Sequence, residues 1–463
     1  MTGRRGTRST FRTIFPRSVS TGPASTGPVS TGSVSTGPVS TGPVSTRATR
    51  ARSMSALAVC AALAAGCGVV PGTSADTESG EITVMTWAPE DTDATNKPGM
   101  PAMAQAYARW INSTGGLNGR KLKVLTCNEH NDRVAAAKCA RLAAKEDVVA
   151  VVGSYSQFGD AFLGPLASAG IPYIGGYGVT NDEFTNPMSY PVNGGSPALL
   201  AGLGKELAAV CGPVALVRPD TIAGDQLPQL LNSGLRAGGH APARDQLAAE
   251  DATEYSAHTK LALQRTTGTG SGKKGCVVPA LGDRTNTFMD SFRRDREDYP
   301  AVRTATVLGS VDQTVINANG GKSGPYEGSY ITGWYPVASD ARWDEMNKVI
   351  KEEAFDDDRV DPQDAGVQTT WIAYTVLKRV VESLKDGEVS STTVRQALDR
   401  GLPITTGGLT PTLRWRFEDL LRVAGFPRLV NARVTLQVVR DGRLVAARKG
   451  VVDTTKLLEN AQH

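Results

Sequence analysis

The four histidines, His130, His240, His258 and His463, are the first candidates for catalysis, and none has a nucleophile elbow or a His-Glu-x-x-His partner beside it. Gly320-Gly321-Lys322-Ser323 ends like a phosphate loop, but that loop needs Gly five residues before its Gly-Lys pair, where Ile316 stands. Gly268-Thr269-Gly270-Ser271-Gly272 follows no expected strand and opens no helix, so it reads as a flexible loop. The chemistry that remains is recognition. Tyr177-Gly178-Val179-Thr180-Asn181 follows an expected strand, and Gly178 lets backbone N–H groups approach a ligand. Thr180 and Ser156 add hydroxyls, so a small carboxylate could be held without a cationic side chain. Both are equally readable as helix caps. Asp312 or Asp283 offers an acceptor for an ammonium group. The same two acids are the only candidates for the paired carboxylates of a secreted enzyme.

Positioning these residues takes an α/β scaffold. Strands are expected at 82–87, 121–127, 148–153 and 171–175, with helices at 100–113, 133–145 and 163–169 between them. After residue 194 the rhythm restarts, with helices at 197–210, 227–237 and 286–296 and strands at 214–217, 276–281, 302–308 and 329–332. Alternation of this kind implies parallel sheets covered by helices on both faces, here in two lobes. A long helix over 364–384 spaces Trp371, Tyr374, Leu377, Val381 and Leu384 as a core stripe. Arg440-Asp441-Gly442 reads as a hairpin turn near the end. Ligands of open α/β sheets lie beyond the carboxyl ends of strands. That rule selects Trp87, Ser156, Gln157, Gly178, Thr180, Ala223, Asp283 and Asp312 as binding residues.

Charge separates the chain into two parts. Residues 1–66 hold eight arginines and no lysine or acid, leaving 42 basic against 46 acidic groups in the rest. The nominal +4 therefore belongs to the leader, and the body has no electrostatic case for nucleic acid. Five Ser-Thr-Gly-Pro/Ser-Ala/Val units over 20–44 cannot bury enough apolar surface to order themselves. Arg47, Arg50 and Arg52, an apolar run at 56–65, and Gly66-Cys67-Gly68 have the layout of an export signal. Leu63-Ala64-Ala65-Gly66-Cys67 resembles a bacterial lipoprotein box, with its Leu four rather than three places before the Cys. The resemblance implies lipid on Cys67 and a flexible tether over 67–80; the alternative is an ordinary cleaved signal. An oxidising compartment suits the remaining cysteines. The favoured pairs are Cys127 with Cys139 and Cys211 with Cys276; zinc on Cys127, His130 and Cys139 competes, but lacks a Cys-x-x-Cys pair and a fourth ligand.

One stretch carries a resemblance to a known family. Ile111-Asn112-Ser113-Thr114-Gly115-Gly116-Leu117-Asn118-Gly119-Arg120-Lys121-Leu122 resembles the INxxGGxxGxxL signature of branched-chain amino-acid (Leu/Ile/Val-type) binding proteins of ABC importers. The likeness continues through Val149-Ala150-Val151-Val152-Gly153 and Ala169-Gly170-Ile171-Pro172-Tyr173-Ile174, and returns at Tyr326-Glu327-Gly328 and the 371–373 helix. It implies a type I periplasmic-binding-protein fold: two Rossmann-like lobes, three crossovers, and a cleft that closes on one solute. By position, the family's hydroxyl contact falls near Ser156, its small-residue and Thr contacts on Gly178 and Thr180, and its ammonium-binding acid near Asp312. Its second-lobe Tyr falls on Ala223, so that aromatic is missing, and a further aromatic contact falls near Asp283.

The expected layout is a leader over 1–66, the tether, a first lobe of 81–194 plus 334–428, and a second of 195–333 plus 429–456. The expected function is an extracytoplasmic, lipid-anchored protein that passes an amino acid or related small polar solute to ABC permease subunits. It needs no cofactor and catalyses nothing. A ligand-sensing ectodomain beside a signalling receptor is the alternative use of the same fold.

Overall fold

The computed structural model describes residues 80–461 apart from 93–94, 222–223, 250–251 and 268–273. The expectations for the leader, most of the tether, Cys67, Ala223 and the 268–272 loop lie outside the described residues, as does the side chain of Asp283.

Five strands form the first sheet: β1 (Ile82–Ala88), β2 (Leu122–Asn128), β3 (Val151–Val152), β4 (Tyr173–Ile174) and β5 (Ser189–Tyr190). They lie in the order β2-β1-β3-β4-β5, all parallel, with Ile82 beside Leu122 at one end of the first pair and Ala88 beside Asn128 at the other. Period-two alternation along β1 serves two cores. Ile82, Val84 and Ala88 pack with helices Gly99–Ser113 and Ala365–Leu384, whereas Met85 and Trp87 pack with helices Arg133–Lys145 and Gly159–Ala169.

The second sheet contains β6 (Val214–Pro219), β7 (Arg244–Ala248), β8 (Cys276–Pro279), β9 (Arg303–Val307), β10 (Tyr330–Gly333), β11 (Arg433–Arg440), β12 (Arg443–Ala446) and β13 (Val452–Asp453). From β7 through β6, β8, β9 and β10 the strands are parallel; β11 runs antiparallel to β10, and β12 and β13 both pair with it. Asp441 and Gly442, both at positive φ, make the expected two-residue turn between β11 and β12.

The long helix Ala365–Leu384 returns to pack on β3 and β4, so the chain passes between lobes near 191–194, 334–336 and 429–432. Side chains tie these passages together. Asn193 Nδ2 donates to the Tyr335 hydroxyl at 3.2 Å, Asn431 Nδ2 donates to the Val192 carbonyl at 3.0 Å, and Thr435 Oγ1 donates to the Tyr335 carbonyl at 2.7 Å.

The sequence signature proves to be architectural. Asn112 clasps the backbone of Leu122, donating to its carbonyl at 2.9 Å and accepting from its N–H at 2.8 Å. Gly116 has φ +77°, and a Cβ there would lie 2.3 Å from the Arg120 carbonyl oxygen. Asn118 donates to the Val381 and Lys385 carbonyls, both at 2.8 Å, closing the end of the long helix. Cys127 is bonded to Cys139 and Cys211 to Cys276, the pairs favoured from the sequence. Both thiols of the competing zinc reading are thereby consumed. Several elements escaped sequence reading, among them β5, β7 and the helices Ser256–Thr266, Asp344–Glu353 and Ser391–Asp399. On β7 Gln246 is buried while Leu247 is 45% exposed, which inverts the usual apolar signal.

Candidate functional site

Between the lobes lies a cleft of about 510 Å³, walled by loops that leave the carboxyl ends of strands in both sheets. On the first-lobe side, Lys97 follows β1, Tyr155 and Gln157 follow β3, and Tyr177 and 179–182 follow β4. The second lobe contributes Pro219 at the end of β6 with Thr221, Gly224, Gln226, Leu227 and Leu230 after it, Ala280–Gly282 after β8 and Leu308–Ser310 after β9. Trp334 enters from the second passage between lobes, and its indole N–H donates to the Gly195 carbonyl at 3.0 Å.

Aromatic rings line the first-lobe side. Tyr177 meets Tyr155 edge-on at 5.1 Å between centroids and Trp334 edge-on at 5.2 Å. Tyr177 is buried, yet its hydroxyl finds no hydrogen-bond partner among the described residues. A Cβ on Gly309 would sit 3.2 Å from that hydroxyl oxygen, so the second lobe approaches it closely. Over the same ring, 5.6 Å from its centroid, stands the Lys97 ammonium. Its side chain is 13% exposed and its nearest carboxylate oxygen, Asp364 Oδ2, is 3.9 Å away. Burial opposes the Lys97 charge, but Tyr177, Asp364 and Asp312 outweigh it, so its pKa moves upward and the group stays cationic.

The loop after β4 is an anion nest already filled. Glu183 is buried, and its carboxylate accepts from the backbone N–H groups of Gly178, Val179 and Thr180 at 3.0, 3.0 and 3.1 Å and from the Thr180 hydroxyl at 3.2 Å. Room for it depends on Gly176, where a Cβ would lie 2.1 Å from Glu183 Oε2. Burial pushes the Glu183 carboxyl up to about 7 against the pull of those backbone donors.

The residues expected from sequence divide in their placement. Gln157 and Thr180 line the cleft, with Gln157 Nε2 donating to Thr95 Oγ1 at 3.0 Å and the Tyr155 hydroxyl at 3.2 Å. Gly178 is buried behind Val179, at φ +88°, and its Cβ would strike Asn193 Oδ1 at 2.7 Å. Ser156 is also buried; it donates to Glu129 Oε2 at 2.9 Å and accepts from the Phe158 N–H at 3.1 Å, which is a loop-fixing role away from the cleft lining. Trp87 is fully buried in the first lobe, edge-on to Phe162 at 5.3 Å, because it lies on the face of β1 that packs on the helices Arg133–Lys145 and Gly159–Ala169. Asp312 caps the helix Gln313–Ala318 by accepting from the Val315 N–H at 3.0 Å and does not line the cleft. Burial and repulsion from Asp364 push its pKa up to about 6 even though Lys97 pulls the other way. The backbone of Asp283 lies in the 3₁₀ turn Gly282–Arg284.

Sequence reading missed Lys97, Asp364 and Glu183. Only Glu183 had a signal: Thr180-Asn181-Asp182-Glu183 is a capping-box spacing, which tells that the loop's donors are claimed internally. Lys97 and Asp364 are 267 positions apart and meet only because the long helix begins beside the loop after β1.

Residues 92–419 match the family model described as periplasmic binding protein. The chain belongs to that family. No curated protein matches it in sequence. Among solved structures, a possible leucine/isoleucine/valine-binding protein from Rhodopirellula baltica SH 1 superposes with a TM-score of 0.64 at 13% identity, covering 81% of this chain and 98% of that one. A solute binding protein of an ABC transporter from Rhodopseudomonas palustris BisB5, in complex with 3,4-dihydroxy benzoic acid, gives 0.63 at 14% identity, covering 81% and 97%. A branched chain amino acid ABC transporter from Thermus thermophilus with bound valine gives 0.61 at 13% identity, covering 80% and 96%. At these identities the likeness concerns the fold: this periplasmic binding protein has the two-lobed α/β architecture expected from its signature, with an extracytoplasmic place implied by its family.

Proposed function

We propose that this periplasmic binding protein is the solute-capturing subunit of an ABC importer, tethered to the membrane by lipid on Cys67. The observation that carries the reading is the inter-lobe cleft of about 510 Å³, with loops from both sheets and an apolar, aromatic lining. A molecule of the size of valine or 3,4-dihydroxy benzoic acid, as bound by the two transporter proteins named above, suits that volume. Asn193, Tyr335 and Asn431 join the three passages as a compact hinge, and closure around it would bury the solute. The occupant is a small organic solute with an apolar body, since leucine, valine, proline, alanine and aromatic side chains together outnumber the polar ones in the walls.

The test has two arms. Mass spectrometry of membrane-extracted protein is expected to show a diacylglycerol-modified mature chain beginning at Cys67, and an unmodified chain there would remove the anchor. Titration calorimetry against small solutes is expected to give a saturable ligand whose binding is lost in Trp334→Ala, and retention of full affinity in that variant would remove the cleft.

A further inference from the structure

The recognition groups expected for an α-amino acid are both occupied by the protein itself. The nest formed by the N–H groups of 178–180 holds Glu183 rather than a ligand carboxylate. Asp312, the expected ammonium partner, is bound as a helix cap beside Lys97. What the cleft presents instead is a cation held by one long ion pair and, beside it, an unpartnered hydroxyl. The Lys97 ammonium stands 3.9 Å from its ion-pair partner Asp364 Oδ2 and makes no side-chain hydrogen bond among the described residues, and the buried Tyr177 hydroxyl has no hydrogen-bond partner among them. An unpartnered buried hydroxyl is costly unless a ligand or water completes it. Lys97 and Tyr177 share one patch, with the ammonium 5.6 Å from the ring centroid. Around them the surface is apolar: Leu200, Leu227, Leu230, Leu308 and Trp334. Asp182 is the one carboxylate among the described lining residues, and it is only half-buried.

We infer that Lys97 and the Tyr177 hydroxyl form an anion anchor, and that the ligand is a monocarboxylate with an apolar body and no α-ammonium group. This rests on the solute-binding reading above and specifies its cargo. An α-ammonium nitrogen is joined to the carboxylate carbon through Cα alone, so a carboxylate docked on Lys97 would hold two cations close together in a partly desolvated site. An amide in place of the carboxylate would lose the charge-assisted contact.

Calorimetry with two matched probe pairs tests this. 4-Methylpentanoate is leucine without its ammonium, and benzamide is benzoate without its charge. At least one acid is expected to bind, and each acid that binds about tenfold or more tighter than its partner. Lys97→Met is expected to erase the preference for benzoate over benzamide, and Tyr177→Phe to weaken the acids several-fold. Tyr177→Phe removes a hydroxyl that has no partner among the described residues, so its effect stays readable even if Lys97→Met unfolds the lobe. Leucine binding as tightly as 4-methylpentanoate would overturn the inference while leaving solute binding intact. So would unchanged acid affinity in Tyr177→Phe, or failure of both acids to bind while another solute occupies the cleft. Absence of any cleft ligand would instead remove the underlying reading.

Discussion

The two walls of the cleft are built on different principles. The first-lobe wall is crowded and internally paired: Glu183 fills the nest after β4, Ser156 is held by Glu129, and Lys97 faces Asp364. The second-lobe wall is apolar and looser, with Leu227, Leu230, Val307 and Leu308 exposed to the cavity and Gly282 free of any atom within 4 Å of a built Cβ. A wall whose polar groups are prearranged can discriminate a ligand's charged end, because reorganising it is costly. A wall of aliphatic side chains accepts many shapes of apolar body, since a methylene more or less changes little. Selectivity for the anionic group and tolerance for the remainder follow from that division.

Several perturbations sharpen the contrast. Each lobe has one disulfide, but Cys211–Cys276 spans 65 residues and Cys127–Cys139 only 12. On chain-entropy grounds, replacing the longer pair by alanines is expected to cost about 4 kcal/mol and the shorter about 3 kcal/mol, read by denaturant melts of the two double variants. Equal losses would mean that strain or unfolded-state structure outweighs loop length. Next in size, Gly176→Ala puts a Cβ 2.1 Å from Glu183 Oε2 and 2.2 Å from the Tyr173 ring, and about 3 kcal/mol of stability should be lost.

Titration gives an intermediate effect. Glu183 and Glu129 sit at about 7 in the fold against an ordinary 4.5. Both are raised, chiefly by burial, so between those values the native state binds more protons than the unfolded chain. Stability is therefore fully expressed below about pH 4.5 and falls as pH rises through 7, by on the order of 2–3 kcal/mol for each group. Glu183→Gln should flatten that slope; a slope unchanged in the variant would show that the nest does not titrate. The smallest effect belongs to the looser wall. Gly282→Ala meets no atom but must keep φ +57°, so a loss of about 1 kcal/mol is expected, well below that of Gly176→Ala.

The fold was readable because its signals are local and repeated. Apolar runs marked β1, β6 and β8, and Asn112, Gly116 and Asn118 marked one helix-to-strand connection whose geometry admits few other residues. β7 was hidden because an edge strand needs little apolar surface and places Gln246 inward. The site was legible in its loops but not in its groups. Strand ends located 154–158 and 177–180, whereas only three-dimensional packing decides that Trp87 and Ser156 turn away from the cleft while Lys97 turns toward it. Thr180 shows the difficulty in one residue: its hydroxyl and N–H can hold a carboxylate, and they do, but the carboxylate is Glu183.

The most direct test of a solute clamp is small-angle scattering on the processed protein, with and without saturating amounts of whichever solute calorimetry shows to bind. Lobes closing about the hinge at Asn193 and Tyr335 should reduce the radius of gyration on binding, with Trp334→Ala remaining open under the same conditions. Saturation with no change in the scattering curve would contradict closure around a captured solute.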